Sequence, residues 1–244
     1  MAAGWTRQMS DPAGFAQLPL RLALRERSTF ESFVVDDANR EATLALQTAV
    51  VAGQGVIWLH GPADSGRSHL LQAACAASTS AGRRAGYLPL AAVAGAMSEQ
   101  LAGWHRLDTL AIDDIDAVAG DAAAERALFS LYRELEERRA LLLVAASVAP
   151  TTLPWLLADI GSRLSAAAVY RLHSLDDAGR AEVLRRRAAQ RGIELPDETI
   201  AYLQRRAPRG LATLCDLLDT LDVAALAAQR RLTVPFIREV LGLD

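Results

Sequence analysis

Apolar and polar positions fall into a regular rhythm from residue 56 onward. Residues 56–59 form a short apolar run that ends in a Gly-rich turn, and 68–80 then carry apolar residues at helical spacing until Ala81-Gly82. Residues 86–90 are strand-like, 93–101 helix-like, and 109–112 form an apolar strand ending on Asp113-Asp114. A long amphipathic helix is predicted over 122–138, a wholly apolar strand over 141–145 and a fifth strand over 169–172. Short continuous apolar runs separated by helices predict βαβ units on a parallel sheet buried on both faces. Ahead of this rhythm, residues 1–16 show no periodicity, and 39–51 are helix-like. After Leu172 the pattern becomes purely helical over 176–191, 197–206, 211–228 and 234–241, with breaks at Gly192, Pro196, Pro208 and Thr233. The predicted organisation is a leader over 1–28, an α/β domain over 29–174 and a helical domain over 175–244.

Composition narrows the function classes. The 244 residues are 51% apolar and 23% charged, which excludes a disordered chain. No stretch approaches the roughly 18 uninterrupted apolar residues of a membrane span, and the N-terminus lacks the apolar run of a secretory signal, so a cytoplasmic protein is expected. A net charge of −3 argues against a protein held to nucleic acid mainly by its own charge. Cys75 and Cys215 both fall in helical patterns and are expected to be buried small hydrophobes. All 26 basic residues are Arg.

The chemistry concentrates in Gly61-Pro62-Ala63-Asp64-Ser65-Gly66-Arg67-Ser68. This fits G-x-x-x-x-G-K-[ST] with Arg67 in place of Lys, and it follows a strand and opens a helix. Such a loop turns backbone N–H groups toward phosphate oxygens at a helix N-terminus, and Ser68 would offer its hydroxyl to Mg²⁺. An ordinary Gly-rich strand-to-helix turn is the simpler alternative. The strand ending in Asp113-Asp114 supports nucleotide binding, because a nucleotide fold places its Mg²⁺-ordering Asp there. Asp113 would be that residue and Asp114 could orient water. A guanidinium is a broader, planar fork than an ammonium, so Arg67 suits a diphosphate better than a reacting γ-phosphoryl group. Nucleotide occupancy with weak intrinsic turnover is the expectation.

Arg163, between the fourth and fifth strands, sits where ring-forming nucleotide proteins project an Arg toward the next subunit's γ-phosphate; a surface Arg capping a helix end is the alternative. Arg209 precedes a helix and could fold back onto phosphates or simply be exposed. Arg185-Arg186-Arg187, Arg205-Arg206 and Arg230-Arg231 are expected to cover solvated helix faces. The four histidines show no metal spacing, and no nucleophile–base arrangement stands out.

With these residues in view, the chain resembles the DnaA-related AAA+ proteins, and within them the regulatory inactivator (Hda) family. The likeness runs from Gln17 to Leu243. Thr29-Phe30-Glu31-Ser32-Phe33-Val34-Val35 with Asn39 resembles the segment laid beside adenine, which implies base contacts at Val34 and Val35. The loop ending Gly66-Arg67-Ser68-His69 is similar to that family's Arg-containing Walker A motif, and Asp113-Asp114 to Walker B. Arg163 matches its arginine finger and Arg209 its second sensor. Gln17-Leu18-Pro19-Leu20-Arg21-Leu22 fits the Q-L-x-L-x-L peptide that grips the sliding clamp, with Gln17, Leu18, Leu20 and Leu22 as contacts. Two departures are visible. Ala146-Ser147-Val148 replaces an Asp-Arg pair, so sensor 1 function at Ser147 is doubtful, and Arg21 replaces a common Pro.

The resemblance implies an AAA+ P-loop NTPase fold, with a five-stranded parallel sheet and a C-terminal helical lid. It implies ADP or ATP with Mg²⁺ at Gly61, Asp64, Ser65, Gly66, Arg67, Ser68, His69, Asp113, Asp114 and Arg209. The implied partners are the β subunit sliding clamp of DNA polymerase III and DnaA–ATP, whose hydrolysis Arg163 would promote to prevent re-initiation. A full initiator continues into a DNA-binding domain after the lid, whereas this sequence ends at Asp244, so DNA is expected to be reached through the clamp. A helicase-loader ATPase and a non-catalytic clamp–initiator adaptor remain open, as does a monomeric or homo-oligomeric state.

Overall fold

A computed structural model describes residues 28–92, 101, 103–206 and 210–242. Five strands, β1 (Gly55–His60), β2 (Ala85–Pro89), β3 (Thr109–Asp113), β4 (Leu141–Ala146) and β5 (Ala168–Arg171), form one sheet in the order β2-β3-β4-β1-β5. Every pairing is parallel. β3 and β4 are buried at every position, which is why both read as continuous apolar runs.

Side-chain alternation splits the strands between two cores. On one face, α1 (Arg40–Ala52) and α2 (Arg67–Ser80) bring Leu46, Leu70 and Leu71 against Ile57, Leu59 and Leu143. On the other, α3 (Ala122–Glu137) and α4 (Ala158–Ser165) bring Leu128, Leu131, Ile160 and Leu164 against Trp58, Ile112 and Val144. Each such fully buried side chain contributes about 1.5–3 kcal/mol of transfer free energy. Asp121 caps α3 by accepting the N–H groups of Ala123 and Ala124. Glu125, wholly buried, accepts N–H groups from Gly120 (2.8 Å), Leu156 (3.1 Å) and Leu157 (2.6 Å), and so anchors the loop that leads into α4. The sequence pattern predicts no helix at α4. Its central Gly161 breaks the pattern, yet that glycine is where Trp155 packs, and a Cβ there would come 2.9 Å from the indole.

The helical domain comprises α5 (Asp177–Gln190), α6 (Asp197–Arg206), α7 (Leu211–Ala228) and α8 (Val234–Val240) around Leu184, Leu203, Leu218, Leu221 and Ile237. At the seam, the Asn39 Nδ2 donates to the His173 carbonyl (3.0 Å) and its Oδ1 accepts the His173 N–H (2.8 Å). Of the expected helix over 93–101, only Leu101 belongs to the described residues. Among those residues, no helix is long and apolar enough to cross a membrane. Cys75 and Cys215 are buried and unpaired, and burial pushes the Cys75 thiol up to about 12.

Candidate functional site

The turn between β1 and α2 is shaped by close approaches at its two glycines. A Cβ at Gly61 would lie 2.4 Å from the Leu172 carbonyl oxygen. Gly66 adopts a left-handed conformation (φ +90°) and lies against Phe33, where a Cβ would meet the ring at 2.6 Å. Asp64 is also left-handed, at φ +61°, and its Oδ1 accepts the Ala212 N–H (3.3 Å) in the first turn of α7. The loop therefore touches the lid directly.

Loop and lid enclose a cleft of about 910 Å³, a size suited to a small ligand. Asp64, Ser65, Gly66, Arg67, Ser68 and His69 form one wall, and Phe33 and Val34 lie at its side. Val35 is 37% exposed and is not part of the lining. Gly61, Asp113 and Asp114 are not part of the lining. Among the described residues, four buried side-chain polar atoms have no hydrogen-bond partner, and three of them belong to residues lining this cleft: Ser65 Oγ, Arg67 Nη1 and Arg191 Nε. Orphaned buried donors are costly unless a ligand satisfies them. The set fits an anionic, phosphate-like group.

The lid wall departs from the sequence expectation. Arg185 pairs with Asp197 on a solvated face as expected, but Arg186 reaches the Phe33 carbonyl (3.4 Å) and Arg187 turns into the cleft. Arg187 forks onto Asp219 (Nε–Oδ1 3.0 Å, Nη2–Oδ2 2.7 Å), and Arg191, only 10% exposed, adds a third bond to the same carboxylate at 2.5 Å. Burial alone would raise the Asp219 pKa, but the two guanidiniums outweigh it and hold the carboxyl below its ordinary value. Val183, Arg186, Arg187, Gln190 and Arg191 recur at one-face helical spacing, a signal present in the sequence. Which neighbour that face meets is decided only by the tertiary packing.

His69 Nε2 lies 3.0 Å from the Thr29 carbonyl and 3.2 Å from Ser32 Oγ, and its ring packs 5.4 Å from Phe33. Burial pushes its pKa down, so the neutral imidazole pins the 29–33 turn onto α2. At the end of β3, Asp113 is 1% exposed; its Oδ2 accepts the Tyr87 hydroxyl (2.7 Å) and its Oδ1 the Asp114 N–H (3.1 Å). Asp114 stands 3.8 Å from Arg67, and burial followed by the Asp113 charge raises its pKa. Ser147, at the end of β4, is exposed, and its backbone N–H donates to Asp116 (2.9 Å).

Arg163 lies elsewhere. It belongs to α4, on the face of the sheet opposite α2, and does not line the cleft. Its Nη1 is 2.8 Å from Glu136 Oε2, and the guanidinium sits 5.6 Å and 5.7 Å from the Tyr132 and Phe129 ring centres. It remains 39% exposed. Arg209 and the peptide carrying Gln17, Leu18, Leu20 and Leu22 lie outside the described residues. Among the described residues, no group of three or more His, Cys, Asp or Glu is arranged to hold a metal ion.

Comparison with known proteins agrees with this architecture. The model of the bacterial DnaA ATPase domain matches residues 24–170, and that of the Hda lid domain matches 177–241. Domain III of the Thermotoga maritima replication initiation protein DnaA superposes with a TM-score of 0.75 at 22% identity, covering 89% of this chain and 96% of that one. A replication initiator DnaA bound to AMPPCP and single-stranded DNA gives 0.69 at 21% identity, over 85% and 69% of the two chains. A Thermotoga maritima RuvB Holliday junction branch migration motor gives 0.65 at 16%, over 90% and 72%. At such identities the likeness establishes the fold, while the family models reach further: the chain belongs to the bacterial DnaA ATPase-domain family of AAA+ proteins and carries an Hda-type lid.

Proposed function

We propose that this DnaA-related AAA+ protein is a regulatory inactivator of DnaA. It holds ADP or ATP in the cleft, docks on the DNA-loaded sliding clamp through Gln17, Leu18, Leu20 and Leu22, and presents Arg163 to the nucleotide of an adjoining DnaA–ATP. The observation that carries this reading is the position of Arg163, partly exposed on the face of the sheet opposite α2 and outside the chain's own cleft, which supports a role toward a neighbouring molecule.

The cleft supports the nucleotide part. The turn from Gly61 to Gly66 offers backbone N–H groups at the start of α2, and the unpartnered Ser65 Oγ and Arg67 Nη1 complete an anion cradle. Val34 and Phe33 supply an apolar flank for a base. A DnaA relative of this fold is known bound to AMPPCP. Ser68 and Asp113 are the residues that would face Mg²⁺ carried in with the phosphates, and Arg209 would approach from the lid. Arg67 and the short Asp114 carboxylate favour retention over turnover.

Magnitudes favour action in trans. Freeing Arg163 from an exposed carboxylate costs about 0–1 kcal/mol, and leaving two aromatic faces about 0.5–1 kcal/mol each. A donated arginine is worth roughly 10³–10⁵ in rate at a reacting γ-phosphoryl group. Clamp docking raises the effective concentration of the two partners and turns a weak contact into a productive one.

The test measures hydrolysis of DnaA-bound ATP with and without clamp on DNA. The wild-type chain should accelerate it only when the clamp is present. Arg163→Ala should retain clamp binding and lose stimulation, and Gln17→Ala with Leu20→Ala should lose both. Stimulation that survives Arg163→Ala overturns the reading. Rapid turnover by the isolated chain favours a helicase loader, and clamp retention without stimulation a passive adaptor.

A further inference from the structure

The sheet carries a charged rim at the end away from the phosphate loop. Arg83 and Arg84 lie just ahead of β2, Asp108 ahead of β3, and Arg138 and Arg139 shortly before β4. The strand register sets these segments side by side, since Ala85 pairs with Thr109 and Thr109 with Leu141. Two Arg-Arg pairs far apart in the sequence thereby come within two strand spacings, about 10 Å. Arg83, Asp108, Arg138 and Arg139 line a cavity of about 250 Å³ whose apolar side chains are Leu107 and Ala140.

Asp108 is the carboxylate of this cavity. Arg84 forks onto it (Nη2–Oδ1 2.8 Å, Nε–Oδ2 3.1 Å), and Arg138 stands 3.8 Å away. Arg83 closes α1 by donating to the Val50 and Val51 carbonyls. The acids in the last turn of α3 face other partners: Glu134 faces His105, Glu136 Arg163 and Glu137 Arg133. The Arg139 side chain is exposed and has no ion pair among the described residues.

The Arg139 backbone is as unusual as its side chain. The Arg139 N–H donates to the Glu136 carbonyl and the Ala140 N–H to the Leu135 carbonyl, both at 2.9 Å. This helix ending needs a left-handed residue, normally glycine, and Arg139 supplies it at φ +53°. α2 and α5 close the same way on Gly82 and Gly192, and α7 on Gln229. Of these four helices α3 alone puts a charge at that position. A strained turn thus holds outward a guanidinium that no described acid binds.

So little apolar surface offers a protein partner few anchors, whereas phosphate contacts need only guanidiniums. We propose that this rim contacts the backbone phosphates of duplex DNA, without regard to base sequence, although the chain as a whole carries a net charge of −3. The contact goes beyond the clamp peptide and depends neither on the nucleotide nor on Arg163. With Arg83 occupied at α1 and Asp108 offsetting one guanidinium, it neutralises about two phosphates, so affinity falls as roughly the inverse square of salt concentration.

The test is fluorescence anisotropy of a short labelled DNA duplex titrated with the full chain, at salt from about 20 to about 200 mM. The wild type should bind at the low end and lose about 60-fold in affinity over that range. Arg139→Gly removes one contact and relaxes the left-handed turn, so it should flatten the log–log salt slope by about one and raise the melting midpoint. Arg138→Ala, one residue earlier, should flatten the slope by about one without that rise. Absence of duplex binding by the wild type overturns the proposal. A wild-type slope in both folded variants overturns it as well. A lower melting midpoint for Arg139→Gly would make Arg139 a structural residue, and binding to polyglutamate but not to DNA would make the partner an acidic protein; either result overturns the proposal.

Discussion

Asn39 and His173, 134 positions apart, exchange two hydrogen bonds at the point where the α/β layers give way to the lid. Asn39 is fully buried, so water cannot replace what it supplies. Asn39→Ala strands both His173 backbone groups and should cost about 2–4 kcal/mol. Urea unfolding would read this as a lower midpoint. An unchanged midpoint would show that the seam is held by packing alone.

Gly66 should tolerate no side chain. At φ +90° a Cβ is strained, and Phe33 already occupies the space at 2.6 Å. Gly66→Ala should destabilise the fold by about 1–3 kcal/mol. It should also weaken ADP binding far more than a substitution at the exposed Val35. Thermal melts and calorimetry on the two variants make the comparison.

Glu125 is the buried anchor of the loop before α4. Glu125→Ala would orphan three backbone N–H groups, at a cost of about 3 kcal/mol or more. Hydrogen exchange should localise the damage, with protection at Leu156 and Leu157 collapsing while α2 keeps its own. Uniform loss of protection would contradict a local role.

Asp108 sets an acid limb. Hydrogen bonds from the Arg84 guanidinium, then the Arg84 N–H, hold its pKa at about 2. A depressed carboxylate stabilises the fold above its unfolded value near about 4, and that contribution fades as pH falls toward about 2. With the side chain 35% exposed, solvent screening reduces the effect to about 1 kcal/mol. The gap in unfolding free energy between wild type and Asp108→Asn should therefore shrink from about 1 kcal/mol at pH 6 to nothing near pH 2.

Particular residues mark how far the sequence could be read. Ile112 and Val144 sit in runs apolar on every position, and such runs have no stable home except a sheet covered on both sides, so the parallel architecture was legible. The two glycines of the phosphate loop were legible because backbone geometry demands them. Helix α4 was hidden, since Gly161 interrupts its pattern and only the Trp155 indole explains the glycine. Arg187 was misread as solvated, and Arg191 drew no reading, because periodicity defines a helix face without naming what it faces. Tyr87 carried no motif. Its link to Asp113 arises from the β2–β3 register, a non-local fact.

The Asp64 carboxylate that receives the Ala212 N–H fastens the turn before α2 to the first turn of α7. One acidic side chain in the loop is thereby also a tie between the two domains, and Asp64→Ala would cut it.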